Sequence, residues 1–246
     1  ISRPYDIMPI VIYAHAKVLI KDVSKDKIEL ELLIMYFLKE LDMSCAKYDK
    51  VIMNNKEYLS CNSFLRNNEE IKYILYTLYN FNCDIEECMA EFKKYKADTF
   101  YLKTVLIDRL YGNIDRWANF GIITGTHMHG NPAPPRIAPL FDNADKSLFR
   151  EYEHEQLFPG INGHDDMNTV ISYLLNYEFI EFFIKDKLKN MSLEKCASLL
   201  EKEKGIVVSN DVESAYKKLE HFFKDSENEV NDALKANGRS FRIKLT

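Results

Sequence analysis

The chain has 246 residues, of which 46% are hydrophobic and 29% charged, and its formal net charge is −5. This length suits one large domain or two lobes that share a cleft, and the acidic balance disfavours direct nucleic-acid binding. Five scattered cysteines without a CxxC pair are typical of reduced thiols and favour a cytoplasmic protein. No apolar run reaches the roughly 18 residues of a membrane span. Because the chain begins with Ile, without a signal pattern, we interpret it as a fragment or a processed product.

The first part of the chain, residues 1–67, has the pattern of a small α+β lobe. β-Branched residues, partly alternating, predict one or two strands near its start. Apolar residues at intervals of three to four then predict a helix. The predicted elements are strands within 9–21, a helix over 28–41, and strands over 45–53 and 57–64 around a turn at Asn54 and Asn55.

The second part, residues 68–246, is mostly helical by pattern. Its one strand-rich stretch lies on either side of a turn whose Gly and Pro residues rule out regular structure. The predicted helices cover 69–81, 85–95, 98–110, 165–188, a segment that begins at Ser192, 211–223 and 227–236. The predicted strands cover 120–124 and 136–140.

Three side chains around this predicted hairpin have the chemistry of a magnesium and phosphate site. Asp115 lies on a loop that Gly112 opens, Asn119 lies where that loop becomes a strand, and Asp142 ends the partner strand. Magnesium prefers carboxylate and amide oxygens, and an accepting hydroxyl needs a carboxylate to orient and deprotonate it. Each residue alone would be an ordinary turn residue. Together they follow the order in which a kinase places its base, its metal-binding Asn and its metal-binding Asp.

The motifs that carry these residues are GNIDRWANFGI and IAPLFDNADKSLF. They resemble the catalytic core of the HipA-like serine/threonine kinases, which show a GNxDRHxxNF-type loop, a hairpin and an AP-[LIF]-[YF]-D segment. The resemblance implies that Asp115 is the catalytic Asp and that Asn119 and Asp142 bind the metal. Trp117 stands where the family has His, and the loop is one residue shorter. The loss of one His before Trp117 would explain both differences.

A second resemblance to the family lies upstream, in VLIKDVSKDKIELELLIMYFLKELDM. It is similar to the family's strand with an ATP-binding Lys, followed by a helix with a paired Glu. Lys21 fits the strand Lys, with Lys17 as the alternative. Glu31 fits the helix Glu, with Glu29 as the alternative. The resemblance implies that the Lys contacts the nucleotide phosphates and that the Glu holds it through an ion pair.

The segment EYLSCNSFL resembles the family's hinge strand, where backbone groups bind adenine. We expect that role for Cys61, Asn62, Ser63 and Phe64. No glycine-rich loop precedes the strand Lys, because every glycine of the chain lies from Gly112 onward.

The resemblance implies an α+β, two-lobed protein-kinase-like fold with a small α+β N-lobe and a mainly helical C-lobe. It implies phosphorylation of Ser or Thr hydroxyls of a protein substrate with ATP and magnesium. It also allows an antitoxin-like partner, since bacterial relatives often act as toxins in toxin–antitoxin pairs. Two alternatives stay open: a pseudokinase, which the short loop and Trp117 favour, and a kinase of lipids or small molecules. The acidic balance and the lack of a basic amphipathic stretch disfavour a membrane substrate.

Overall fold

The computed structural model describes residues 10–13, 16–80, 83–113, 116, 119–127, 130–144, 167–208 and 215–245. The strands are β1 (Ile10–Tyr13), β2 (Ala16–Lys21), β3 (Tyr48–Met53), β4 (Lys56–Asn62), β5 (Glu69–Lys72), β6 (Ile122–Gly125) and β7 (Arg136–Ile137). The helices are α1 (Lys25–Glu40), α2 (Ile74–Asn80), α3 (Ile85–Lys93), α4 (Asp98–Tyr111), α5 (Met167–Leu174), α6 (Glu178–Asp186), α7 (Leu193–Lys204) and α8 (Ala215–Ala236), with a short 3-10 turn at Leu188–Asn190.

The first sheet is antiparallel and has the strand order β1-β2-β4-β3. Strands β3 and β4 form a hairpin whose predicted turn is confirmed at Asn54 and Asn55. Both residues have positive φ, 51° and 60°, which the tightest hairpins require and which Asn tolerates. Because β2 and β4 are neighbours, Lys21 lies opposite Leu59 and Leu19 lies opposite Cys61.

Helix α1 is buried on all sides over residues 28–38. It begins where the Ser24 side chain accepts a hydrogen bond from the backbone N–H of Lys27 at 3.3 Å. A helix that is apolar all round must be covered on both sides. Strands β3 and β4 cover one side, and helices α7 and α8 cover the other, where the rings of Phe37 and Phe223 are 4.7 Å apart.

Helix α4 leads into the predicted catalytic loop and ends at Gly112. This glycine has φ of 69°, and its N–H donates to the carbonyl of Asp108. A left-handed glycine is a common way for a helix to stop and its chain to turn. Helix α4 packs against α3 and α8, and a single hydrophobic core runs from α1 through these helices.

The predicted helix over 69–81 is wrong in its first part, which is strand β5. Strand β5 pairs with β6, and β6 pairs with β7, in a second small sheet. Glu69 is fixed by Arg136, whose Nη2 is 2.8 Å from the Glu69 carboxylate. Pairing with a strand some fifty residues away overrides the local helical pattern.

Three further differences from the predictions are larger than a shift of a few residues at an end. Helix 165–188 is divided into α5 and α6, because Tyr177 takes an extended backbone conformation between them. The helices predicted over 211–223 and 227–236 are one helix, α8. The gap expected near Ser226 is absent because this serine is buried and its hydroxyl donates to the carbonyl of Leu110 at 2.7 Å. Strand β7 stops before Pro139, which has no N–H to donate, and Leu140 instead bridges to Cys45.

No helix of the described segments has the length and apolar character of a membrane span.

Candidate active site

The backbone at Asp142 has an unusual conformation, with φ of 49°. Left-handed backbone is strained for most residues, but Asp and Asn adopt it more readily than others. The backbone N–H of Asp142 donates to the hydroxyl of buried Tyr48 at 2.9 Å. The turn is therefore fixed by the first sheet, since Tyr48 begins β3.

Two lysines meet the Asp142 carboxylate at the same oxygen. Lys21 Nζ, at the end of β2, lies 2.9 Å from Oδ1, and Lys27 Nζ, in the first turn of α1, lies 3.5 Å from it. Burial alone raises the pKa of Asp142, but the two ammonium groups outweigh it and the net pKa is lowered. Asp142 is thus an ionised carboxylate that keeps 30% of its side chain exposed.

Glu31 binds the backbone just after Asp142. It is fully buried, and its carboxylate accepts hydrogen bonds from the Asn143 N–H at 2.9 Å, the Asn143 side-chain amide at 3.0 Å and the Ala144 N–H at 2.6 Å. Burial raises the pKa of Glu31, the nearby Asp142 charge raises it further, and these N–H groups oppose the shift in part. Glu31 therefore holds the segment that carries Asp142.

This geometry differs from the expected ion pair between Lys21 and Glu31. The ion pair of Lys21 is with Asp142, and the hydrogen bonds of Glu31 go to the two residues that follow it. The left-handed turn explains the difference, because it directs the Asp142 carboxylate to Lys21 and the next two N–H groups to Glu31. The alternative Glu29 instead pairs with Lys25, 3.7 Å away and one turn earlier in α1.

Arg116 is a fully buried guanidinium beneath this segment. Its Nε lies 2.7 Å from Oδ2 of Asp108, and its Nη2 lies 2.9 Å from Oδ1 of the same carboxylate. Burial lowers the pKa of Arg116, but Asp108 and the Tyr111 hydroxyl outweigh it and the net pKa is raised. Asp108 also accepts from the Tyr111 hydroxyl at 2.8 Å and the Asn113 amide at 3.1 Å. The pair is therefore charged, bidentate and well hydrogen-bonded.

The remaining donors of Arg116 join the two predicted metal-binding positions. Nη1 donates to the carbonyl of Asn119 at 3.3 Å and to the carbonyl of Phe141 at 3.1 Å. Nη2 donates to the side-chain oxygen of Asn143 at 2.8 Å. One side chain thus holds the backbone at Asn119 and Phe141 and the side chain of Asn143.

Asp115 and Trp117 lie outside the described residues, so the catalytic role of Asp115 stays a prediction. Asn119 is described and nearly buried, at 9% exposure, and its N–H donates to the carbonyl of Arg116 at 2.9 Å. The side chain of Lys17, the alternative to Lys21, also lies outside the described part.

The predicted hinge contains one buried and three more accessible residues. Cys61 is buried in β4, and this burial raises the pKa of its thiol to about 11. Asn62 and Ser63 are exposed, and the half-buried Phe64 ring lies 5.7 Å from the ring of Phe141. The carbonyl of Phe64 accepts from Arg136 Nη2 at 2.8 Å. The hinge backbone is thus fixed at one end by a residue that the sequence analysis did not single out.

Sequence reasoning missed several residues of this site. Asp108 is a helical residue without a motif. The Tyr48 hydroxyl binds the backbone of Asp142, and the Asn143 side chain binds Glu31 and Arg116, and no spacing in the sequence indicates these contacts. Lys27 had a usable signal, because it lies four residues before Glu31 and therefore on the same face of α1.

The donor set suits a nucleotide with magnesium. Within the described segments, no three His, Cys, Asp or Glu side chains form a metal cluster. Magnesium, however, usually keeps several waters and binds one or two carboxylates together with substrate phosphates. Ionised Asp142 is such a carboxylate, Asn119 is the nearby amide residue, and the two lysines supply positive charge for phosphate. The residues present therefore fit a nucleotide that is bound together with magnesium.

No family model matches the chain, and no curated protein matches it. Solved structures do match its fold. The crystal structure of the Helicobacter pylori proinflammatory kinase CtkA matches with 13% identity and a TM-score of 0.52, over 94% of this chain and 98% of that chain. The Shewanella oneidensis MR-1 toxin–antitoxin HipA, in a complex with HipB and operator DNA, matches with 13% identity and a TM-score of 0.53, over 91% of this chain and 59% of that chain.

Similarity at this level of identity shows the fold. Both neighbours are consistent with the small antiparallel sheets and many helices described above. The chain therefore has an α+β, two-lobed kinase-like fold of the kind found in HipA and CtkA.

Proposed function

We propose that this protein is a kinase that uses ATP and magnesium to phosphorylate Ser or Thr hydroxyls of a protein substrate. The observation that carries the proposal is the ionised Asp142 carboxylate, which two lysines meet. Tyr48 binds the backbone of Asp142, and Glu31 and Arg116 bind the backbone of the residues on either side of it. A structural ion pair has no need of two lysines on one oxygen and three separate supports of its backbone. A site that binds metal and phosphate benefits from both, because preorganised charge is its main source of catalysis.

In this proposal each residue has a defined task. Asp142 and Asn119 hold the magnesium ion, which supplies charge neutralisation at the transferring phosphate. Lys21 binds the nucleotide phosphates. Asp115 orients the substrate hydroxyl and accepts its proton, a role that rests on the resemblance of GNIDRWANFGI to the family loop. Glu31 keeps the segment after Asp142 in place rather than gripping the lysine.

We further propose that residues 1–67 form the N-lobe and 68–246 the C-lobe. The backbone of Cys61, Asn62, Ser63 and Phe64 would then bind the adenine between the two lobes.

The second candidate function is a pseudokinase, a nucleotide-binding interaction module. The shortened loop and Trp117 favour it. An antitoxin-like partner is a proposal that rests on the HipA neighbour, which was solved with HipB.

The test is transfer of label from γ-labelled ATP, with magnesium, to the protein itself and to generic protein substrates. Asp142→Asn is the better variant than Asp142→Ala, because Asn keeps the shape and tolerates the left-handed backbone. Asp22→Asn is the matched control, since Asp22 pairs with Lys56 at an exposed surface. We expect wild type and Asp22→Asn to transfer label and Asp142→Asn and Asp115→Asn to lose it.

Magnesium-dependent ATP binding without any transfer would support the pseudokinase alternative. Neither binding nor transfer by the wild type would refute the nucleotide site. Transfer that survives in both site variants would refute the assignment of Asp115 and Asp142.

A further inference from the structure

Lys27 is a residue of the candidate site to which no motif gave a role. It reaches Asp142 from the first turn of α1, whereas Lys21 reaches the same oxygen from β2. The Lys27 side chain is only 19% exposed. Two independent elements thus bring like charges to one carboxylate oxygen.

The position of Lys27 is unfavourable for a purely structural lysine. The N-terminus of a helix carries partial positive charge, which repels a cation in the first turn. Lys25, two residues earlier, illustrates the ordinary arrangement, since its side chain is 66% exposed and pairs along the helix with Glu29. Lys27 instead points into the site, and its own N–H is bound by the Ser24 cap. The helix therefore presents an N-terminus and an ammonium group at the same place.

The charge at the site is unbalanced in a way that fits an anion. Two ammonium groups face the single Asp142 carboxylate, whereas the Glu31 carboxylate is bound by the N–H groups of the next two residues rather than by either lysine. A nucleoside triphosphate with its magnesium ion has net negative charge, which this surplus would attract. In many kinases a glycine-rich loop supplies backbone N–H groups for the phosphates. Residues 1–111 contain no glycine, so they provide no such loop.

We propose that Lys27 is a second phosphate-binding residue, which acts with Lys21 on the nucleotide phosphates. This proposal rests on the proposed function, since it concerns the same nucleotide site. The ligand chemistry that it requires is the phosphate chain of a nucleotide, because two ammonium groups from separate elements converge within 3.5 Å of one oxygen.

The test is binding of MgATP, MgADP and adenosine, by calorimetry, to wild type, Lys27→Gln and Lys25→Gln. Gln keeps the length of the side chain and removes its charge, and Lys25→Gln is a control on the same helical turn. A charge-assisted hydrogen bond to phosphate predicts that Lys27→Gln weakens MgATP binding by roughly tenfold to a hundredfold. We expect a smaller loss for MgADP, no change for adenosine, and wild-type affinities for Lys25→Gln. The affinity of Lys27→Gln for MgATP should also depend less on the salt concentration than the affinity of wild type does.

The outcomes separate this proposal from the proposed function. If wild type binds MgATP and Lys27→Gln binds it equally well, Lys27 has no phosphate role and the kinase proposal stands. If Lys27→Gln weakens adenosine and MgATP alike, Lys27 supports the fold rather than the phosphates, and the inference is overturned. If wild type binds no MgATP, both proposals fail together.

Discussion

The buried pair of Arg116 and Asp108 offers the sharpest test of how the site is built. Both side chains have no exposed surface, and two parallel hydrogen bonds of 2.7 and 2.9 Å join them. Breaking a buried pair by removing one partner costs about 3–5 kcal/mol, because the other charge stays buried and uncompensated. Total stabilities of proteins are about 5–15 kcal/mol, so each single change removes a large share.

We expect Arg116→Met and Asp108→Asn each to lower the free energy of unfolding by about 3–5 kcal/mol. Asp108 retains the Tyr111 hydroxyl and the Asn113 amide in Arg116→Met, which places that variant near the lower end of the range. The double variant should cost less than the sum of the two, by about 2–3 kcal/mol, because neither charge is then left alone.

Urea unfolding at constant pH, followed by tryptophan fluorescence and circular dichroism, measures all four corners of this cycle. Arg116→Lys is an added variant that keeps the charge and loses the planar fork, and it should lie between wild type and Arg116→Met. If Arg116→Met and Asp108→Asn do not fold, Arg116→Lys still gives a loss of stability that can be measured. Additive costs in the double variant, or a loss below about 1 kcal/mol in Arg116→Met, would refute the view that this pair supports the site.

Three further outcomes follow from the backbone and the charges. Asp142→Ala should be about 1 kcal/mol less stable to urea than Asp142→Asn, because Ala disfavours the left-handed backbone, and equal stabilities would contradict this. Lys21 and Lys27 lower the pKa of Asp142, so its stabilising effect is present above the ordinary value of 3.8 and is lost as the pH falls further. The difference in free energy of unfolding between wild type and Asp142→Asn should therefore decrease as the pH falls below 3.8. An increase in that difference at low pH would contradict the lowered pKa. Gly112→Ala should lower stability by about 1 kcal/mol or more in thermal unfolding, because its φ is 69° and the new Cβ would lie 3.1 Å from Phe222 Cε1.

The sequence predicted some of the residues that meet in this candidate site, but not all of their partners. Lys21 and Asp142 do lie together, and Arg116 joins the backbones at Asn119 and Phe141. The partner of Glu31 was missed because it depends on one left-handed residue, and no pattern of side chains encodes that turn. Arg116 pairs with Asp108, eight residues earlier on α4, and local spacing alone does not select that partner.

The fold predictions failed where distant contacts decide the local structure. The first residues of the predicted helix 69–81 pair with β6 as a strand. Ser226, taken as a gap between two helices, is buried against Leu110 within α8. In both places the deciding partner is far away in the sequence, whereas the helix over 28–41 and the Asn54–Asn55 turn depend on local signals and were predicted well.

The burial of α1 on both sides has a consequence for the order of folding during synthesis. Lys21, Lys27 and Glu31 are made before α7 and α8, which cover one side of α1. Until residues 193–236 have left the ribosome, one apolar side of this helix has no cover, and contacts so distant in sequence form slowly. The candidate site is therefore not completed before α7 and α8 are made, and a nascent chain released before α7 would expose one apolar side of the helix that carries Lys27 and Glu31.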